Sequence, residues 1–155
     1  MAILNQDPIV RAEMLIRRPA EEVFEAFVDP DITTKFWFTK SSGRLEPGKR
    51  VRWEWEMYGV SDDILVEDIV PNRRIRILSS DGTIVEWSFA SRGERETFVA
   101  ITSSGFEGSG DDVVAQAIDA MGGYTMVLCG LKALLEHNVV LNLVADRAPD
   151  AHVGR

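Results

Sequence analysis

Several stretches of the chain place an apolar side chain at every second position. "IVRAEMLIR" (9–17) does so at Val10, Ala12, Met14 and Ile16, the mark of a half-buried strand. "RVRWEWEMYG" puts Val51, Trp53, Trp55 and Met57 on one face and Arg52, Glu54, Glu56 and Tyr58 on the other. "DDILVEDIV" reads as a further strand ending at Pro71-Asn72, and "RRIRILSS" follows, closed by the turn residues Asp81-Gly82. "TIVEWSFAS" alternates again, with Val85, Trp87 and Phe89 on one side, and "SRGER" turns the chain into "ETFVAITSSGF". Consecutive strands joined by short turns predict an antiparallel meander.

Two segments follow the other period. After Arg18-Pro19, the stretch "AEEVFEAFV" carries Val23, Phe24 and Phe27 on one helical face, with Pro19 suited to the first turn and Glu21 and Glu22 at the favourable end. Asp29-Pro30 ends that helix, because the residue before a proline is driven out of the α region. Pro30 then restarts a helix with Asp29 as its N-cap, and the stretch finishes on Phe36, Trp37 and Phe38. Neither piece is long enough to be stable alone in water. The last large element is 111–137, where Ala117, Met121, Tyr124, Leu128, Leu131 and Leu135 keep helical spacing over ~40 Å. Asp111 and Asp112 favour its start, and Asn138 fits its C-cap. Gly122-Gly123 in its middle costs about 1 kcal/mol per glycine relative to alanine. The pair predicts a kink or a close approach to the sheet, or else room for a ligand beside Met121 and Tyr124. The first half of the tail, 138–155, is expected to dock and its end to be loose.

Composition narrows the function classes. At 155 residues, 45% hydrophobic and 27% charged, the chain fits one domain (1–155, core about 9–137) with a core that needs no staple. The net charge of −8 argues against nucleic acid or an anionic membrane surface as partner. Cys129, the single cysteine, lies in an apolar helical pattern and reads as a small buried hydrophobe. One cysteine forms no internal disulfide, the chain shows no basic-then-apolar leader and no run of about 20 apolar residues, and a cytoplasmic location is expected.

The order of elements, strand, two short helices, five or six antiparallel strands and one long helix, resembles the helix-grip fold of the START-like (SRPBCC, Bet v 1-like) superfamily. "RPAEEVFEAFVDPDITTKFW", "LEPGKRVRWEW", "VEDIVPNRRI" and "FVAITSSGF" are similar to motifs of the branch named for the activator of the heat shock protein 90 ATPase, over about residues 9–137. The resemblance implies an α+β fold in which a curved antiparallel sheet wraps the long helix and a cavity lies between them. It also implies that the bent helical pair caps the sheet, with its aromatic end at the cavity mouth. The candidate lining is Phe36 and Trp37 from the cap; Trp53, Trp55, Met57, Trp87 and Phe89 from the sheet; and Met121, Tyr124 and Leu128 from the helix.

Walls of this composition suit a small apolar or amphipathic ligand. An enzyme of the polyketide cyclase or dehydrase kind would need a carboxylate facing the cavity with a shifted pKa. Glu67 and Asp68 are adjacent on one strand, so one of them is expected to share the inward parity. His137 and His152, the chain's two histidines, fall outside the expected cavity, and His137 is expected to act on the helix C-terminus. No paired histidine or cysteine spacing, nucleophile elbow, phosphate loop or calcium loop occurs, so no metal and no cofactor is expected. A protein-interaction module is the third reading; it would need an exposed apolar patch outside the cavity. A homodimer is left open, as is the chaperone partner that the branch's name implies.

Overall fold

The computed structural model describes residue 4 and residues 6–152. The last residues of the tail, expected to be loose, lie partly outside that range. Strand β1 (Val10–Ile16) leads into α1 (Ala20–Val28) and α2 (Pro30–Thr33). Six strands follow: β2 (Lys40–Ser41), β3 (Arg50–Trp55), β4 (Val60–Val70), β5 (Arg74–Leu78), β6 (Ile84–Ser91) and β7 (Thr97–Ser104). The long helix α3 (Gly110–His137) and a short α4 (Leu143–Asp146) complete the order. The strands form one antiparallel sheet in the order β1-β7-β6-β5-β4-β3-β2, so the first strand closes on the last. Curved sheet, long C-terminal helix and two short helices after β1 make the α+β helix-grip fold.

The helical break forms as its residues dictate. The Asp29 side chain accepts from the Asp31 N–H, and Pro30 opens α2. Thr33, fully buried, donates its hydroxyl to Ala26 O at 2.6 Å and Asp29 O at 2.9 Å, stitching α2 back onto α1. Pro19 sits at the N-cap of α1 rather than inside its first turn.

Alternation fails at two places. The chain leaves β3 after Trp55 and makes a 3-10 turn over Glu56–Tyr58, closed by Gly59 at φ 62°. Parity therefore does not carry to Met57 or Tyr58. In β4 the register to β5 shifts between Val66 and Asp68. This bulge absorbs one residue, so Glu67 and Asp68 both lie on the outer face, paired with Arg76 and Arg74. Neither carboxylate enters the cavity.

Helix α3 runs unbroken through Gly122-Gly123. Its start is fixed by a capping box, with the Ser109 side chain on the Asp112 N–H and Asp112 on the Ser109 N–H. Asn138 takes the left-handed C-cap at φ 53°. The last carbonyls are satisfied by Arg18, which donates to Leu135 O at 2.9 Å and Glu136 O at 3.4 Å, rather than by the exposed His137. By length and composition α3 could cross a membrane; here it is the gripped core helix. Its buried side chains gather in the second half, Val127, Leu128, Leu131 and Leu134, while in the first half only Val113 is buried. Cys129 is half-buried rather than enclosed.

Candidate functional site: a cavity under the first half of the long helix

One face of the first half of α3, Gln116, Asp119, Ala120, Gly123 and Tyr124, lines a cavity of about 720 Å³. Its floor is aromatic. Trp37, delivered by the turn after α2, stands 4.9 Å from Trp53, 6.1 Å from Trp55 and 6.1 Å from Tyr124, centroid to centroid. Trp53 in turn stacks on Phe38 at 4.7 Å. The bend at Pro30 thus carries the Phe36-Trp37-Phe38 run to the end of the sheet, and Trp37 becomes the ring that joins sheet to helix.

The rim is polar. Ser61, Asp62, Ser79, Asp81, Thr83 and Ser103 come from strands and turns of the sheet, and Gln116 and Asp119 come from α3. Asp62 is opposite Trp53 in the β3–β4 ladder. Its carboxylate accepts from the Ser80 N–H at 3.0 Å and from the Ser79 hydroxyl. Asp81 accepts from Thr83, at 2.9 Å from the N–H and 2.7 Å from the hydroxyl. Burial pushes the Tyr124 phenol well above the ordinary tyrosine range, and the charges of Asp62 and Asp81 push it further.

The C-terminal segment crosses the mouth. Val144, Arg147 and Ala148 line the cavity. Tyr58 holds this strap by donating its hydroxyl to Val144 O. Arg147 pairs with Asp119 at 3.3 Å. Its guanidinium lies over the two glycines: a Cβ on Gly122 would meet Arg147 Nη2 at 3.1 Å, and one on Gly123 would meet Nη1 at 3.5 Å. The glycine pair therefore seats the strap and does not approach the sheet. The glycine in close backbone contact is Gly130, whose Cβ would meet the Phe36 Cβ at 3.2 Å and the Phe36 O at 3.4 Å.

Of the ten predicted lining residues, Trp37, Trp53, Trp55 and Tyr124 meet around the cavity. Trp87, Phe89 and Leu128 share its inward direction but are sealed in the core behind it, Trp87 at 1% exposure. Phe36 is buried against Phe27 and Gly130. Met57, displaced by the 3-10 turn, lies with Phe36 at a separate small pocket under residues 141–145. Met121 is 44% exposed and does not line the cavity. Sequence reasoning missed the acidic rim. The signal for Asp62 was available, since it shares even parity with the buried Ile64 and Val66. Nothing in the local pattern marks Arg147 or Tyr58. Among the described residues, no grouping of three His, Cys, Asp or Glu could hold a metal ion.

The chain belongs to the family described as activator of Hsp90 ATPase homolog 1-like protein, whose model matches residues 17–136. Among solved structures it is similar to protein SSP2350 from Staphylococcus saprophyticus, at 31% identity and a TM-score of 0.77, over 86% of this chain and 96% of that one. It is similar to the Aha1 dimer from Colwellia psychrerythraea at 20% identity and a TM-score of 0.72, over 84% and 97% of the two chains. It also resembles DynU16, a protein of the dynemicin biosynthetic locus, at 22% identity and a TM-score of 0.75, over 87% of this chain and 49% of that one. No curated protein matches the chain.

Proposed function

We propose that this member of the family binds a small amphipathic molecule in the cavity between the sheet and the first half of α3. One observation carries the reading: a space of about 720 Å³ with an aromatic floor and a polar rim. Small-molecule sites commonly occupy about 300–1,000 Å³, are mostly apolar, and carry a few polar groups that orient the ligand. A core serving stability alone would be packed to crystal-like density and would leave no space of this size. The site has its own side of the molecule, because the packed half of α3 secures the fold without it.

The reading extends to the whole chain, taken as one binding domain over 1–155, and to a cytoplasmic location, which the acidic surface and lone Cys129 support. The test is native mass spectrometry of freshly purified protein, joined to a fluorescence titration with an apolar dye. A co-purifying small molecule, or dye binding that Gly123→Leu removes while the protein stays folded, is the expected result. Gly123 lines the cavity and an added side chain there would enter it. Dye binding that is unchanged in a folded Gly123→Leu variant would place the site elsewhere.

A second reading, a protein-interaction surface, is favoured by one feature. Val114, Ile118 and Met121 are exposed at helical spacing on α3, with Ile118 at 68%. A second copy or a chaperone are the partners this reading allows. Sedimentation of the parent and of Ile118→Glu discriminates: a dimer that the charge dissociates supports the surface, and a monomer throughout removes the homodimer.

A further inference from the structure

We infer that the ligand's polar end is a cation, an amine or quaternary ammonium carried on an apolar body; this rests on the cavity-binding reading and specifies it. Two independent features converge on that chemistry. The first is the ring arrangement. Trp37, Trp53, Trp55 and Tyr124 stand around one space, and Trp37 contacts each of the other three rings within 6.1 Å. Aromatic faces carry negative potential, tryptophan most strongly, and rings set at steep angles around a space offer several faces to one cation. The interplanar angles from Trp37 to these rings are 57°, 66° and 70°, so they tilt around Trp37 and do not stack on it.

The second feature is the charge of the rim. The charged residues lining the cavity are three carboxylates, Asp62, Asp81 and Asp119, against one guanidinium, Arg147. Arg147 is already matched with Asp119 at 3.3 Å. Asp62 and Asp81 therefore face the space with no cationic partner among its lining. They are held in place by serine, threonine and backbone donors, and a carboxylate offers about four lone-pair positions, so the fixed oxygens keep capacity to accept from a protonated amine and attract a quaternary ammonium by charge alone. The field of these two carboxylates reaches the aromatic wall, since both act on the Tyr124 phenol. A carboxylate, sulfate or phosphate head would meet three like charges and only an occupied guanidinium. A neutral hydroxyl or amide head would gain a hydrogen bond from the acids but neither their net charge attraction nor the cation–π contribution of the rings. An ammonium gains from rings and carboxylates together.

The experiment compares three heads on one phenylpropyl body: 3-phenylpropyl trimethylammonium, its uncharged tert-butyl isostere, and 4-phenylbutyrate. Binding is followed through tryptophan fluorescence and through the indole N–H signals in NMR. The ammonium probe is expected to bind about tenfold tighter than the isostere, the size of a desolvated cation–π contact aided by a carboxylate, and the butyrate weakest. Asp62→Asn with Asp81→Asn is expected to shrink the ammonium's advantage over the isostere to the part that the rings supply. An isostere or butyrate that equals or beats the ammonium in the parent protein overturns the cationic inference and leaves the cavity reading standing. Three probes that all fail to perturb the tryptophans overturn the cavity reading itself. The ranking is read on the parent, so it decides the matter even if the double variant does not fold.

Discussion

The two halves of α3 are one continuous helix with opposite jobs. From Val127 to Leu134 it is clamped: Val127, Leu128 and Leu131 are at or below 2% exposure, and Gly130 lets the backbone close on Phe36. At its end Lys132 donates to Leu15 O and to Glu136, and Glu136 accepts the Arg17 N–H at 2.9 Å. From Gln116 to Tyr124 the same helix stands off the sheet, and space replaces side chains. Stability and binding are thus separated along a single element. The clamped half can hold the open half over the cavity without filling it.

The comparison breaks most visibly at Leu131. It is fully buried in the core cluster, so Leu131→Ala is expected to cost about 2–5 kcal/mol, through lost burial and the cavity left behind. Met121→Ala, in the open half and 44% exposed, is expected to stay within about 0.5 kcal/mol of the parent. Urea unfolding of both variants measures the contrast. Equal losses would show that α3 is stabilised uniformly.

A finer test uses glycine against glycine. Alanine gains about 1 kcal/mol in helix propensity at either site. At Gly130 the new methyl would press on the Phe36 Cβ and carbonyl oxygen, which are fixed, and overpacking costs about 1–3 kcal/mol. At Gly123 it would meet only the end of the Arg147 side chain at ordinary contact distance. Gly130→Ala is therefore expected to lower the melting temperature, and Gly123→Ala to raise it by the equivalent of about 1 kcal/mol. A stabilised Gly130→Ala would mean that Phe36 moves freely and that the clamp is loose.

How far these halves were legible in sequence depends on what encodes them. Periodicity encodes direction, so the inward set Val51, Trp53, Val85, Trp87 and Phe89 and the break at Asp29-Pro30 were readable from local pattern. Depth is another matter. Trp53 and Trp87 have the same parity, yet one lines the cavity and the other is sealed behind it, because depth depends on which strand lies under which part of α3. Interruptions of period two are equally hidden: the 3-10 turn after Trp55 moved Met57 aside, and the bulge at Glu67 sent two acids outward. Docking of the tail's first half was legible, but its seat was beyond reach, because Arg147 and the glycine pair are brought together by the fold alone.

Two titrating groups set the halves apart in pH, acid for the clamp and alkali for the cavity. Burial pushes the Glu136 carboxyl up, but the Arg17 N–H and the Lys132 ammonium outweigh it, and the group lies below the usual carboxylate range. A depressed carboxyl contributes stability above its unfolded value of 4.5 that is lost as pH falls through the folded one. Glu136→Gln should therefore flatten the acid limb of the unfolding free energy below that value. The carboxylate binds a backbone N–H and a partly buried lysine, so it is placed to matter more than an exposed ion pair.

The smallest and most specific effect belongs to the cavity. Tyr124 is pushed above its ordinary 10.0, first by burial and then by Asp62 and Asp81. A phenol whose folded pKa is raised gives a contribution that is complete below pH 10. Above that pH the unfolded chain releases the proton and the folded one keeps it, so stability falls as the pH climbs toward the folded value. The parent should lose stability between pH 10 and 11 more steeply than Tyr124→Phe, which carries no proton there. Urea midpoints of the two proteins at pH 9 and 11 check this. A bound cation near Asp62 and Asp81 would offset their charge and ease the phenol's ionisation. Adding the ammonium probe should therefore lower the pH at which the tyrosinate absorbance of the folded parent, less that of Tyr124→Phe, appears. Parallel slopes for parent and variant would mean that Tyr124 is open to water and that the wall it completes is not closed.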